Sequence, residues 1–189
     1  MNKGTVILVS GVARAGKDTF FNLLKESLPI EFKAYRFAFA DQIKEDLKPL
    51  LMDNFNIDPF NCTNDQKEII RPLMVSYGTH VARRLDKEIW IKKLFKKIES
   101  ANLDSKTITV ITDARYPNEQ NYFLDKFENC INVHIERFGF EPANEEEEKN
   151  TPLLKNNANY VISWGDFANN IDLGKPFIDG FINERLKIR

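Results

Sequence analysis

The stretch Gly11-Val12-Ala13-Arg14-Ala15-Gly16-Lys17 spaces two glycines and a lysine as GxxxxGK, with Asp18 and Thr19 next. Those residue types in that order suit one task, the gripping of a phosphate chain. Glycines let successive backbone N–H groups wrap round an anion, and a following helix adds the positive end of its dipole. Lys17 brings a point charge to the outer phosphates. Thr19, or Asp18 through a water, offers the hard oxygen that Mg²⁺ requires. A plain glycine-rich turn is the competing account. The apolar strand before the loop and the amphipathic helix after it favour the phosphate.

A second cluster is Asp113-Ala114-Arg115, directly after the β-branched run Thr107 to Thr112. A carboxylate there is placed to orient Mg²⁺ or its water shell, and a guanidinium to bind a phosphate through two parallel hydrogen bonds. The plainer alternative is a surface Asp–Arg pair. Arg14, Arg71, Arg83, Arg84 and Arg137 gain weight from their joint placement, since lone arginines are usually solvated. His80 and His134 stand too isolated to suggest a metal site. The run Glu145 to Glu148 reads as a solvated, mobile face. Trp90 and the phenylalanines at helical spacing read as core. Trp164 suits base stacking and packing equally.

The elements that must position these groups alternate. Thr5 to Val9 reads as a buried strand, and Lys17 to Leu28 as a helix closed by Pro29. Ala34 to Phe39 reads as a second strand, followed by a helix that Asp41 caps and Pro49 ends or kinks. Asp53 to Thr63 reads as a loop, with helices from Asn64 to Gly78 and from about Asp86 to Ser100. Thr107 to Thr112, Ile131 to Ile135 and Tyr160 to Ser163 read as further strands. Pro117 opens a helix through Phe127, and Phe177 to Leu186 reads as a last one. Such alternation predicts an α/β layered fold with a mainly parallel, five-stranded sheet and helices on both faces. Ligands of such sheets bind at the carboxyl ends of the strands, where both clusters fall.

With 189 residues, a single domain with a small insertion is the expectation. The 27 Lys and Arg against 28 Asp and Glu leave a net charge of -1, which argues against a nucleic-acid polymer as partner. Apolar residues make up 42%, enough for a sizeable core. Cys62 and Cys130 match no metal or redox spacing, which points to a reducing, cytoplasmic setting. Neither a leader nor a membrane span is visible.

The sequence resembles the phage-type deoxynucleoside monophosphate kinases, which are P-loop nucleotide kinases. The segments that carry the resemblance are Leu8 to Thr19, Phe39 to Glu45, Arg71 to Met74, Tyr77 to Thr79, Trp90-Ile91, Asp113 to Glu119 and Val133 to Arg137. Their order and spacing are similar from about residue 5 to 165, and the GKDT ending is typical. The resemblance implies a three-layer P-loop sandwich with a helical substrate-binding region at about 41–105 and a lid at about 138–157. It implies transfer of the ATP γ-phosphate to a deoxynucleoside 5′-monophosphate, with ATP and Mg²⁺ held by Gly11, Ala13, Arg14, Ala15, Gly16, Lys17, Asp18 and Thr19. Asp113 joins the metal set. Arg71 and Arg115 would hold the acceptor phosphate, with Asp41, Lys44, Asp113 and Trp90 as further substrate contacts. Lys17, Arg14, Arg115 and Arg137 would stabilise the transferring group. The lid lacks arginine, so Arg14 or Arg137 must supply its charge.

Three rivals stand beside that reading. A dephospho-coenzyme A or deoxynucleoside kinase would use a hydroxyl acceptor, with Asp41 as base. A phosphomevalonate kinase is another, because related GKD loops occur there. The third is a non-catalytic nucleotide-binding module. The apolar middle helices also offer a face for a homodimer.

Overall fold

A computed structural model describes residues 4–101, 103–167 and 170–188. Met1 to Lys3, part of the stretch read for a leader, lie outside them. Val6, Ile7, Leu8 and Val9 are fully buried, so β1 (Thr5–Ser10) is covered on both faces. A strand buried on both faces reads as a continuous apolar run, because no position alternates toward water. Around it lie β2 (Lys33–Phe37), β3 (Thr107–Ala114), β4 (Cys130–Arg137) and β5 (Tyr160–Trp164). The order is β2-β3-β1-β4-β5, and every pairing is parallel.

The two-residue period of the strands sorts their side chains. Ile7, Val9, Val110, Val133 and Ile135 pack with Phe20, Leu23 and Leu24 of α1 (Lys17–Ser27) and with Ile178 and Phe181 of α8 (Lys175–Phe181). Leu8, Asn132 and His134 point the other way, toward α6 (Pro117–Lys126) and α7 (Glu145–Asn156). Asn132 donates to the carbonyl of Asn157, and Gln120 of α6 to that of Leu154. The result is the α/β sandwich of a P-loop kinase, with the carboxyl ends of all five strands at one edge.

The chain divides into two units, Met1–Phe37 with Leu103–Arg189, and Ala38–Asn102. The second holds α2 (Phe39–Phe55), α3 (Asn64–Val75), a π-helical stretch (Ser76–Ala82), the short α4 (Arg83–Leu85) and α5 (Ile89–Ser100). Leu47, Leu51, Ile57 and Ile70 form its core. Thr63 and Gln66 form a reciprocal capping box, which sets the start of α3 at Asn64.

Several local expectations are corrected here. Ala38 is the N-cap of α2, and Asp41 sits inside its first turn, where a carboxylate still meets the positive end of the dipole. Pro49 neither ends α2 nor marks its boundary, for the helix runs on to Phe55. The residue deprived of a donor is Glu45, and both lie exposed, so water can serve the freed carbonyl. Gly78 does not end its helix either. It lies within the π-helical stretch, where a Cβ would stand 2.6 Å from Ile43 Cδ1, so the position favours a residue without a side chain. Among the described residues, no helix is long and apolar enough to cross a membrane.

Candidate active site

The loop after β1 bends sharply because three residues take left-handed backbone: Gly11 (φ 142), Arg14 (φ 63) and Gly16 (φ 97). Only glycine adopts that region freely, so Arg14 is held there by its surroundings. Its carbonyl accepts a hydrogen bond from Arg137 at 3.1 Å, and the carbonyl of Ala15 accepts one from the Trp164 indole at 2.8 Å. Trp164 is 1% exposed, which settles its alternatives in favour of packing. A Cβ on Gly16 would come within 2.9 Å of the same indole ring. Two strand ends, those of β4 and β5, thus clamp the loop from outside.

Lys17 turns back into the loop and donates to the carbonyls of Gly11 at 2.8 Å and Val12 at 2.7 Å. Burial, followed by the charge of Arg115, brings its pKa down to about 8 against the opposing pull of Glu147, Asp113 and Asp18. Beneath the loop Ser10 Oγ lies 2.9 Å from His134 Nδ1. Burial holds His134 near pKa 4, so it is neutral at physiological pH and adds no charge to the cradle.

Arg115 leaves β3 half exposed at the loop's side. Its backbone N–H donates to Glu119 Oε2 at 2.7 Å, as does that of Tyr116 at 3.1 Å. Glu119 is 0% exposed and fixes this turn, a role the sequence reading passed over. The signal was available, since Pro at the first helical position and Glu two residues later mark a helix start.

The acidic run is the larger correction. Residues 145–156 form a helix, α7, whose N-cap is Asn144. Glu147 is turned inward, 10% exposed, and is not part of a solvated face. Its Oε2 accepts the N–H of Ala13 at 3.1 Å and that of Ala143 at 3.0 Å, while Oε1 lies 3.9 Å from Arg115. Burial pushes this carboxyl up, but the two N–H donors and the charges of Arg115 and Lys17 hold it below the usual range.

The metal candidates fit a Mg²⁺ ion shared with phosphates. Asp18 and Asp113 stand close enough to bias the Lys17 ammonium, and Thr19 supplies a hydroxyl two residues on in the first turn of α1. Asp18 is also paired with Arg36 at 3.0 Å. Among the described residues no three His, Cys, Asp or Glu cluster. Arg137 pairs with Asp166 and stacks on Phe140 at 4.3 Å, and its Nε is buried without a partner. Beside it a cavity of about 180 Å³ is lined by Gly16, Thr19, Arg137, Trp164 and Phe167.

The remaining candidates belong to the second unit. Arg71 is exposed on α3. Asp41 and Lys44 lie 3.6 Å apart, and Lys44 also sits over the ring of Phe60 at 5.3 Å. Trp90 is 0% exposed and its indole donates to the carbonyl of Gly78 at 3.0 Å. Its place is the core, and as a substrate contact it is withdrawn.

The parallel sheet and clamped glycine loop define a P-loop kinase-type protein. The phosphomevalonate kinase family model matches residues 9–129, and the chain belongs to that family. That makes it a small-molecule kinase, a phosphotransferase for which ATP is the expected donor. No curated protein matches it in sequence. Its fold is similar to that of an unliganded sugar kinase from Janibacter sp. HTCC2649, at 12% identity and a TM-score of 0.50, over 98% of this chain and 95% of that one. The Thermus thermophilus protein TT1252 aligns at 14% identity and a TM-score of 0.43, over 96% of this chain and 98% of that one.

Proposed function

We propose that this protein transfers the γ-phosphate of ATP to a phosphate oxygen of a small phosphomonoester. One observation carries the reading. The N–H of Ala13 and the guanidinium of Arg115 converge on a single anionic position, which the Glu147 carboxylate marks. A backbone cradle and an arginine from a second strand facing one anion is what a transferring phosphoryl group requires, because its catalysis is positioning and charge neutralisation. Lys17 lies within reach of the same position, and Arg137 holds the loop's far side.

The family name makes phosphomevalonate the first acceptor to try. Deoxynucleoside monophosphates are the second, on the strength of the segments Phe39 to Glu45 and Asp113 to Glu119. Both acceptors present a phosphate whose second pKa is about 6, already ionised at neutral pH, so neither needs a general base. That is consistent with a cradle of cations and N–H donors. Thr19, Asp18 and Asp113 would hold Mg²⁺, which neutralises charge on the donor phosphates. The cavity lined by Gly16, Thr19 and Phe167 would receive the donor's base, with Arg137 as its polar edge.

Coupled ADP release, measured across phosphomevalonate, the deoxynucleoside monophosphates and a set of hydroxyl acceptors, tests the reading. Turnover with a phosphomonoester supports it. Turnover confined to hydroxyl acceptors, with loss of several orders in Asp41→Asn, replaces it with a base-assisted kinase. Tight ATP binding without any turnover makes the protein a nucleotide-binding module.

A further inference from the structure

We infer that Glu147 is a built-in plug of the phosphate cradle, a carboxylate that the loop binds in place of a nucleotide phosphate and that nucleotide entry must expel. The inference rests on the loop's role as an ATP site. Of the four consecutive glutamates, Glu145, Glu146 and Glu148 are exposed, and Glu147 alone reaches the loop. It meets the donors a phosphate would meet: a loop N–H at 3.1 Å and, at 3.9 Å, an arginine. A carboxylate and a phosphate present the same kind of acceptor oxygen to such donors, so the two compete for one position.

The surrounding helix is built to let go. The C-terminal end of α7 is anchored: Leu154 is 3% exposed, and the carbonyls of Leu154 and Asn157 are both bonded to the body of the unit. The N-terminal end is held by Glu147 and by the bond from Tyr116 Oη to Glu146. Between them stands Pro152, which has no N–H to donate to Glu148, so the helix ladder is weakest there. Glu148, Thr151 and Pro152 also border a cleft of about 710 Å³ with Val12 and Phe140, which leaves the first turns of α7 room to move. Release of Glu147 leaves only the Tyr116–Glu146 bond at this end, and once that yields the first turns of α7 are a lid that hinges near Pro152, so the protein exchanges an internal anion for an external one.

Binding of ATP, and of inorganic triphosphate as a probe without a base, is to be measured calorimetrically on the full chain and three variants. Glu147→Ala is expected to bind both about tenfold more tightly than the unmodified protein. Glu147→Gln keeps the side chain's length and falls between them, and it decides the matter if Glu147→Ala does not fold. Glu145→Gln is unchanged. Unchanged or weaker binding in both Glu147 variants, with a lowered thermal midpoint, overturns the plug and makes Glu147 a structural tie. That result leaves the ATP site standing. Absence of ATP binding in every protein overturns the plug and the proposed function together.

Discussion

The two units of this chain hold their charged residues by different means. In the sheet unit, three site residues are placed by the backbone elements that carry them: Lys17 by the first turn of α1, Arg115 by a strand end fixed through Glu119, Arg137 by the strand end beside the loop. In the helical unit, charge is spent on side-chain pairs between helices and between α2 and the loop that follows it. Lys93 of α5 pairs with Asp46 of α2, Lys97 with Glu45, and Lys48 with Asp58 at 2.8 Å. Backbone placement is rigid and indifferent to salt. Exposed ion pairs are soft and screened. The first unit is therefore the one suited to hold atoms within tenths of an ångström, and the second the one whose charge pairs yield to salt.

The largest break in that contrast comes from Lys17→Ala. Turnover in the coupled assay should fall at least about a thousandfold. The thermal midpoint should hold or rise, since a buried ammonium whose pKa has dropped to about 8 costs the fold stability. Retained turnover would remove the cradle from the mechanism. Next, Gly16→Ala forces an L side chain into φ 97 and against the Trp164 ring, and should cost about 2–4 kcal/mol in denaturant unfolding. An unchanged midpoint would show that the clamp is slack.

His134 sharpens the comparison through acid. The folded protein keeps it neutral down to about pH 4, while the unfolded chain protonates near 6.5. Stability linked to this group is complete above pH 6.5 and drains as pH falls toward 4, by up to about 3 kcal/mol. His134→Gln should flatten that part of the pH–stability curve, and a slope that survives the substitution assigns it to other groups. The smallest effect belongs to the helical unit. Asp46→Asn loosens Lys93 and Tyr77 and should cost about 1 kcal/mol at low salt, shrinking as salt is raised. A loss insensitive to salt would mean that packing, not charge, joins α2 to α5.

The same division explains what was legible in the sequence. The five strands and the loop are local patterns, one apolar run or one spacing each, and they stand within a few residues of where the pattern puts them. The helical unit blurred where exposure decides the outcome: Pro49 survives in α2 because water can reach the freed carbonyl. Asp41 looked like a cap because it has the right side chain, while the backbone had already turned at Ala38. Trp90 could not be told from a ligand contact until its burial was known. Glu147 was hidden most thoroughly. Four identical residues in a row carry no periodicity, and only the position of α7 against the loop decides which one faces inward.

The bond from Trp164 to Ala15 joins residues 149 positions apart. The loop that grips phosphate is written in the first tenth of the chain, yet its outer support is translated last among the strands. A ribosome-stalled chain ending before Trp164 carries the whole glycine motif without the indole that seats it. Such a nascent chain should pass unretained over immobilised ATP, and one extended beyond α8 should be captured, so nucleotide competence arrives late in synthesis and all at once.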